Sequence, residues 1–73
     1  MTDKEAYDFM CSLNHKNQFH IKLRYIQLRD PQCLISMAQE HVKSPQKMTI
    51  VNQCVDHTFD KLIKKSKNLK SNG

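Results

Sequence analysis

Between Phe19 and Pro31 the chain concentrates side chains that can grip a polyanion and read base edges: His20, Lys22, Arg24, Tyr25, Gln27 and Arg29. A Gln amide can pair with adenine and an Arg fork with guanine. Lys and Arg also neutralise phosphates, a contact that positions a protein without reading sequence. The ordinary alternative is a solvated basic face that keeps an edge strand from aggregating.

Three further constellations carry weaker chemistry. Cys11 and His15 sit at i, i+4, and Cys54 and His57 at i, i+3, so two helical pairs could complete a tetrahedral zinc site. The short Cys-x-x-Cys spacing of structural zinc sites is missing, and Cys11 and Cys54 flank apolar stripes where a free Cys serves as a small hydrophobe. Cys33 and His41 could act as nucleophile and base, but no residue supplies an orienting third group or an oxyanion pocket. Asp56 and Asp60 stand one turn apart among lysines, which fits exposed ion pairs. No enzyme, metal or other cofactor is expected. Lys61, Lys64, Lys65, Lys67 and Lys70 suit phosphate contacts, and equally suit the C-terminal end of a helix dipole with a solubilising tail.

The elements that hold these residues follow from periodicity and caps. Thr2-Asp3-Lys4-Glu5 fits a capping box, and Ala6, Phe9, Met10 and Leu13 then share one helical face. From 19 to 25 the period shortens: Phe19, Ile21, Leu23 and Tyr25 alternate with His20, Lys22 and Arg24, the pattern of a half-buried strand. Ile21, Tyr25 and Leu28 also share a helical face, but the β-branched and aromatic content favours the strand. Asp30-Pro31 starts a second helix with Leu34, Met37, Ala38, His41 and Val42 on its apolar side. Ser44-Pro45 opens a third, with a narrow stripe of Met48, Val51, Val55, Phe59 and Leu62. No second strand is legible, so the expected partner of the first is the same strand in a second copy.

Strand, Pro-started helix, polar turn and Ser-capped helix over residues 25–66 resemble the ribbon-helix-helix DNA-binding family, the Arc and Met repressor type. Tyr25-Ile26-Gln27-Leu28-Arg29-Asp30-Pro31 looks like the ribbon, and Val51, Val55 and Phe59 fit the spacing of the second helix. The resemblance implies an intertwined homodimer whose antiparallel ribbon lies in the major groove of double-stranded DNA. In that register Ile26 and Leu28 face the core, and Tyr25, Gln27 and Arg29 face DNA. The chain departs from the pattern at Asp30, where a buried aromatic is usual, in the turn that lacks Gly, and in its added N-terminal helix. Alternation alone would instead turn His20, Lys22 and Arg24 outward, because a one-residue slip exchanges the faces. The spacing to Pro31 favours the later register and charge favours the earlier, so Lys22, Arg24, Tyr25, Gln27 and Arg29 are all candidates for DNA contact.

Bulk properties fit this reading. The net charge is +5 and 38% of the residues are apolar, with no Trp and one Gly, the last residue. A basic balance favours acidic partners, and a lone Gly excludes a glycine-rich phosphate loop. A 73-residue chain is at the size where one core is marginal, which favours burial across a subunit interface. Three cysteines, no leader pattern and no long apolar run lead to a cytoplasmic, reduced protein that does not enter membranes. The expected organisation is mainly α with one short strand: an N-terminal helix and turn over 1–18, a ribbon-helix-helix domain over 19–67, and a basic mobile tail over 68–73. The expected function is sequence-specific DNA binding as a transcriptional repressor. The alternative is a small helical adaptor or inhibitor that binds another protein, with the N-terminal helix as one docking surface.

Overall fold

The computed structural model describes residues 1–66 in full and 67–72 by backbone alone, so the tail expected over 68–73 lies outside the fully described residues. Four helices follow one another: α1 (Asp3–Leu13), α2 (Asn17–Arg29), α3 (Pro31–Lys43) and α4 (Met48–Asn72). The expected strand is absent among the described residues, and its segment is the second helix. This overturns the ribbon-helix-helix architecture, because no strand remains to form a ribbon or to require a second copy.

The physical reason lies in the backbone. A strand at 19–29 would leave a row of N–H and C=O groups to be paired by another chain, whereas a helix pairs them within the segment. The residues permit it: Lys22, Leu23, Arg24, Gln27, Leu28 and Arg29 are good helix formers, and neither Gly nor Pro interrupts the segment. Phe19, Leu23 and Ile26, at i, i+4 and i+7, are the buried residues of α2, while Ile21, expected inside by alternation, is 63% exposed. Leu28, expected inside by the later register, is 72% exposed.

The caps are those the sequence announces, with one exception. Thr2 N–H donates to Glu5 Oε1 at 2.8 Å, and Glu5 N–H donates to Thr2 Oγ1 at 3.2 Å, completing the box on α1. The Thr2 backbone N–H, and then its hydroxyl, hold the Glu5 carboxyl below its ordinary value of 4.5. The box is therefore intact above that value and is lost as pH falls through the lowered one. Asp30 ends α2 and caps α3, accepting from Cys33 N–H at 3.3 Å, with Pro31 in the first turn. Ser44-Pro45 does not open a helix. Ser44 instead closes α3, its N–H donating to the Glu40 carbonyl at 2.9 Å, and α4 begins at Met48.

The core joins Ala6 and Met10 of α1, Phe19, Leu23 and Ile26 of α2, Leu34 and Ala38 of α3, and Val51 and Val55 of α4. The helix α2 touches each of the other three, so it is the central element. It runs the same way as α4, since Lys22 meets Asp56 and Tyr25 meets Phe59. At 1.5 Å per residue α4 is about 37 Å long, which accounts for the long dimension of the 40 × 24 × 21 Å molecule. Asn14 ties the first turn to α4, its Nδ2 donating to Asn52 Oδ1 at 3.2 Å.

Helix and strand assign opposite consequences to neighbouring odd positions. Leu23→Ala should destabilise the chain by about 2–5 kcal/mol, enough to threaten folding at this size. Ile21→Ala should change stability by less than about 0.5 kcal/mol. Urea unfolding followed by far-UV circular dichroism measures both, and equal losses would be the signature of a strand.

Candidate functional site

As a helix, α2 spreads the residues expected to face DNA around its circumference. Lys22 and Tyr25 turn toward α4, and Arg29 lies over Tyr25. Lys22 Nζ lies 2.6 Å from Asp56 Oδ1 and 5.8 Å from the centroid of the Phe59 ring. Tyr25 meets that ring edge-on at 5.2 Å, and the Arg29 guanidinium lies 5.5 Å from the Tyr25 ring. The Lys22 and Tyr25 contacts cross to α4 and hold the two helices together at the surface, while that of Arg29 stays within α2. The ion pair itself, with side chains 30% and 58% exposed, is worth at most about 1 kcal/mol.

Arg24 points the other way, its guanidinium 5.8 Å from the ring of Tyr7 on α1. Burial, and then the Cys11 thiol, raise the Tyr7 phenol above its ordinary value, so the ring stays neutral beneath the cation. Gln27 is half-buried, and its Oε1 is out of solvent with no hydrogen-bond partner. That oxygen is not presented to a base edge. His20, which faces outward with Lys22 and Arg24 in the earlier register, is turned to a structural task. Its Nε2 lies 2.6 Å from the Asn14 carbonyl, to which it donates, and 3.3 Å from that of Cys11, closing the end of α1.

The other candidate constellations disperse. Among the described residues no three metal-ligating side chains converge. Cys33 and His41 stand on one helix about 12 Å apart along its axis. The His41 ring packs on Phe9 at 5.9 Å, and its Nδ1 accepts from the Gln46 N–H at 3.4 Å. Burial raises the thiols of Cys11 and Cys33 above their ordinary value of 9.0, which disfavours their reactive thiolates.

Beside a shallow depression at Met1 and Val42, two further surfaces stand out that periodicity and spacing did not announce. One is a cleft of about 300 Å³ between α3 and α4, with Met10, Met37, Val51 and Cys54 on its walls and Glu40 and His41 at its lip. The other is the outer side of α2. Asn17, Ile21, Arg24 and Leu28 fall within about 60° of arc at 100° per residue, opposite the buried stripe. Shallow depressions lie on either side of Arg24, one shared by Tyr7, Asn17 and Ile21, the other by Tyr7, Gln27, Leu28 and Pro31. A signal for this surface was present: six large apolar residues on one short segment are more than a single helix face can bury.

No known protein family, curated protein or solved structure matches the chain. No helix among the described residues is long and apolar enough to cross a membrane.

Two side-chain environments can be checked directly. Gln27→Met removes an orphaned buried acceptor and should raise stability by about 1 kcal/mol in chemical denaturation. Alkylation of the folded chain, followed by mass spectrometry, should mark the exposed Cys54 before Cys11 and Cys33.

Proposed function

We propose that this chain is a small helical adaptor or inhibitor that acts by binding another protein, in the cytoplasm and without catalysis. The observation that carries the reading is the outer face of α2, where Ile21 and Leu28 are 63% and 72% exposed while folding is served by the opposite stripe. Large apolar side chains grouped on one helical face are the usual material of helix-mediated recognition. Small size suits the same role. The three free cysteines fit a reducing compartment. The cations and polar groups once expected to read bases contribute less to this choice, because Lys22 and Arg29 lie against side chains of their own fold.

Duplex DNA is the second reading. It keeps the net charge of +5 and the exposed Lys61, Lys64 and Lys65 on α4. Its mechanism would be phosphate contact and not base readout by a ribbon, so affinity would fall steeply with salt and vary little with sequence.

The test sets the two partners against each other. A photo-crosslinking residue at position 28, in the cells that make this protein, should give a discrete protein adduct, and one at Gln39 on the exposed side of α3 should not. Mixed-sequence duplex should not be retained by the chain even at low salt. Salt-sensitive retention of that duplex, together with nucleic-acid adducts and no protein adduct at position 28, would refute protein binding as the function.

A further inference from the structure

The nature of the bound protein can be read from the same face, an inference that rests on the adaptor reading. Arg24 stands midway between Ile21 and Leu28, held outward by its contact with Tyr7 at 5.8 Å. The single ion pair among the described residues is that of Lys22 and Asp56, so Arg24 has no carboxylate at ion-pair distance. Ile21 and Leu28 are two helical turns apart, about 10.5 Å, and each borders one of the depressions flanking Arg24. We propose that this face receives an amphipathic helix of a different protein, with an acidic residue between two apolar ones. Its carboxylate pairs with Arg24, and its apolar side chains cover Ile21 and Leu28.

A second copy of this chain fits the face poorly where it would present its own α2 or α1. Packing α2 on its own copy about the middle of the stripe sets Arg24 against Arg24, a like-charge contact that opposes association. Packing it on α1 of the copy sets Ile21 and Leu28 against exposed Lys4, Asp8 and Ser12, which offer no apolar cover. The α1 edge of the groove carries Asp3 and Asp8 with Lys4 between them, so a base on that flank of the partner adds to the match. The acid belongs at the centre, over Arg24.

A phage-displayed library of helical peptides, selected on the full chain, tests this. Enriched peptides should carry Asp or Glu three or four residues from two apolar positions that are seven apart. Leu28→Asp should weaken their binding at least tenfold, and Arg24→Glu should switch the selected central residue to Lys or Arg. Both variants should keep the wild-type helical circular dichroism spectrum, since neither side chain is part of the core. Enriched peptides without the central acid, or indifferent to Arg24→Glu, would overturn the partner chemistry and leave the adaptor function standing. Failure to enrich, with a dimer in analytical ultracentrifugation that Leu28→Asp abolishes, would overturn it in favour of a second copy. Failure to enrich with a monomer would bring down both the inference and the adaptor reading.

Discussion

The fold depends on one constraint: the backbone of residues 17–29 must find its hydrogen-bond partners inside its own segment. Among the described residues no other part supplies a strand, and the segment closes on itself as a helix whose side chains take a 3.6-residue period. The consequences spread from there. Phe19, Leu23 and Ile26 come onto one side, and α1, α3 and α4 each pack against that central helix. With the core assembled within one chain, burial no longer calls for a second copy. The architecture of four packed helices follows from where one segment's amides are satisfied.

The same turn of geometry divides the basic residues by task. On a strand, Lys22, Arg24, Tyr25, Gln27 and Arg29 could be argued onto a few contiguous base-reading positions. On a helix they separate by angle. Lys22 and Tyr25 join the aromatic seam with Phe59, where cation–π and edge contacts close α2 on α4, and Arg29 covers Tyr25 from within α2. Gln27 is drawn inward far enough to bury its carbonyl oxygen. Arg24 alone remains on the outer face with an aromatic ring beneath it. Charge count is the same in both readings. Only the period decides which charges reach solvent as a group.

Much of the fold was legible because caps and stripes act locally. The Thr2–Glu5 box, the Asp30-Pro31 start and the stripes of α1 and α4 depend on residues within a few positions of each other, and each stands where the sequence places it. The segment at α2 was not legible in the same way, because its apolar residues satisfy two periods at once. Phe19, Ile21, Leu23 and Tyr25 alternate, while Phe19, Leu23 and Ile26 follow a helical face. What separates them is whether another strand exists to pair with, a property of the whole chain and not of the window. Ser44-Pro45 failed for a related reason: both residues also suit the exit from a helix, and Ser44 closes α3. As for the site, charge alone marks Arg24, while Ile21 faces the core in one strand register and Leu28 in the other. Their exposure becomes visible only when the buried stripe is known.

The outer face of α2 sets a limit on how this chain can be understood as a folded object alone. Ile21 and Leu28 contribute little to the core, and each exposes apolar surface that raises the risk of association. Arg24 between them works against the simplest such association, because two copies of the stripe meet with like charges at its centre. An apolar pair discourages solubility, whereas a central unpaired cation discourages self-pairing. The two together are costly to a monomer and unsuited to a symmetric dimer. They are compatible with a surface of opposite sign and matching spacing, where the guanidinium gains a carboxylate and the flanking side chains lose their water. Folding accounts for the large residues on the inner side of α2 and leaves Ile21 and Leu28 on the outer side without a part in the core.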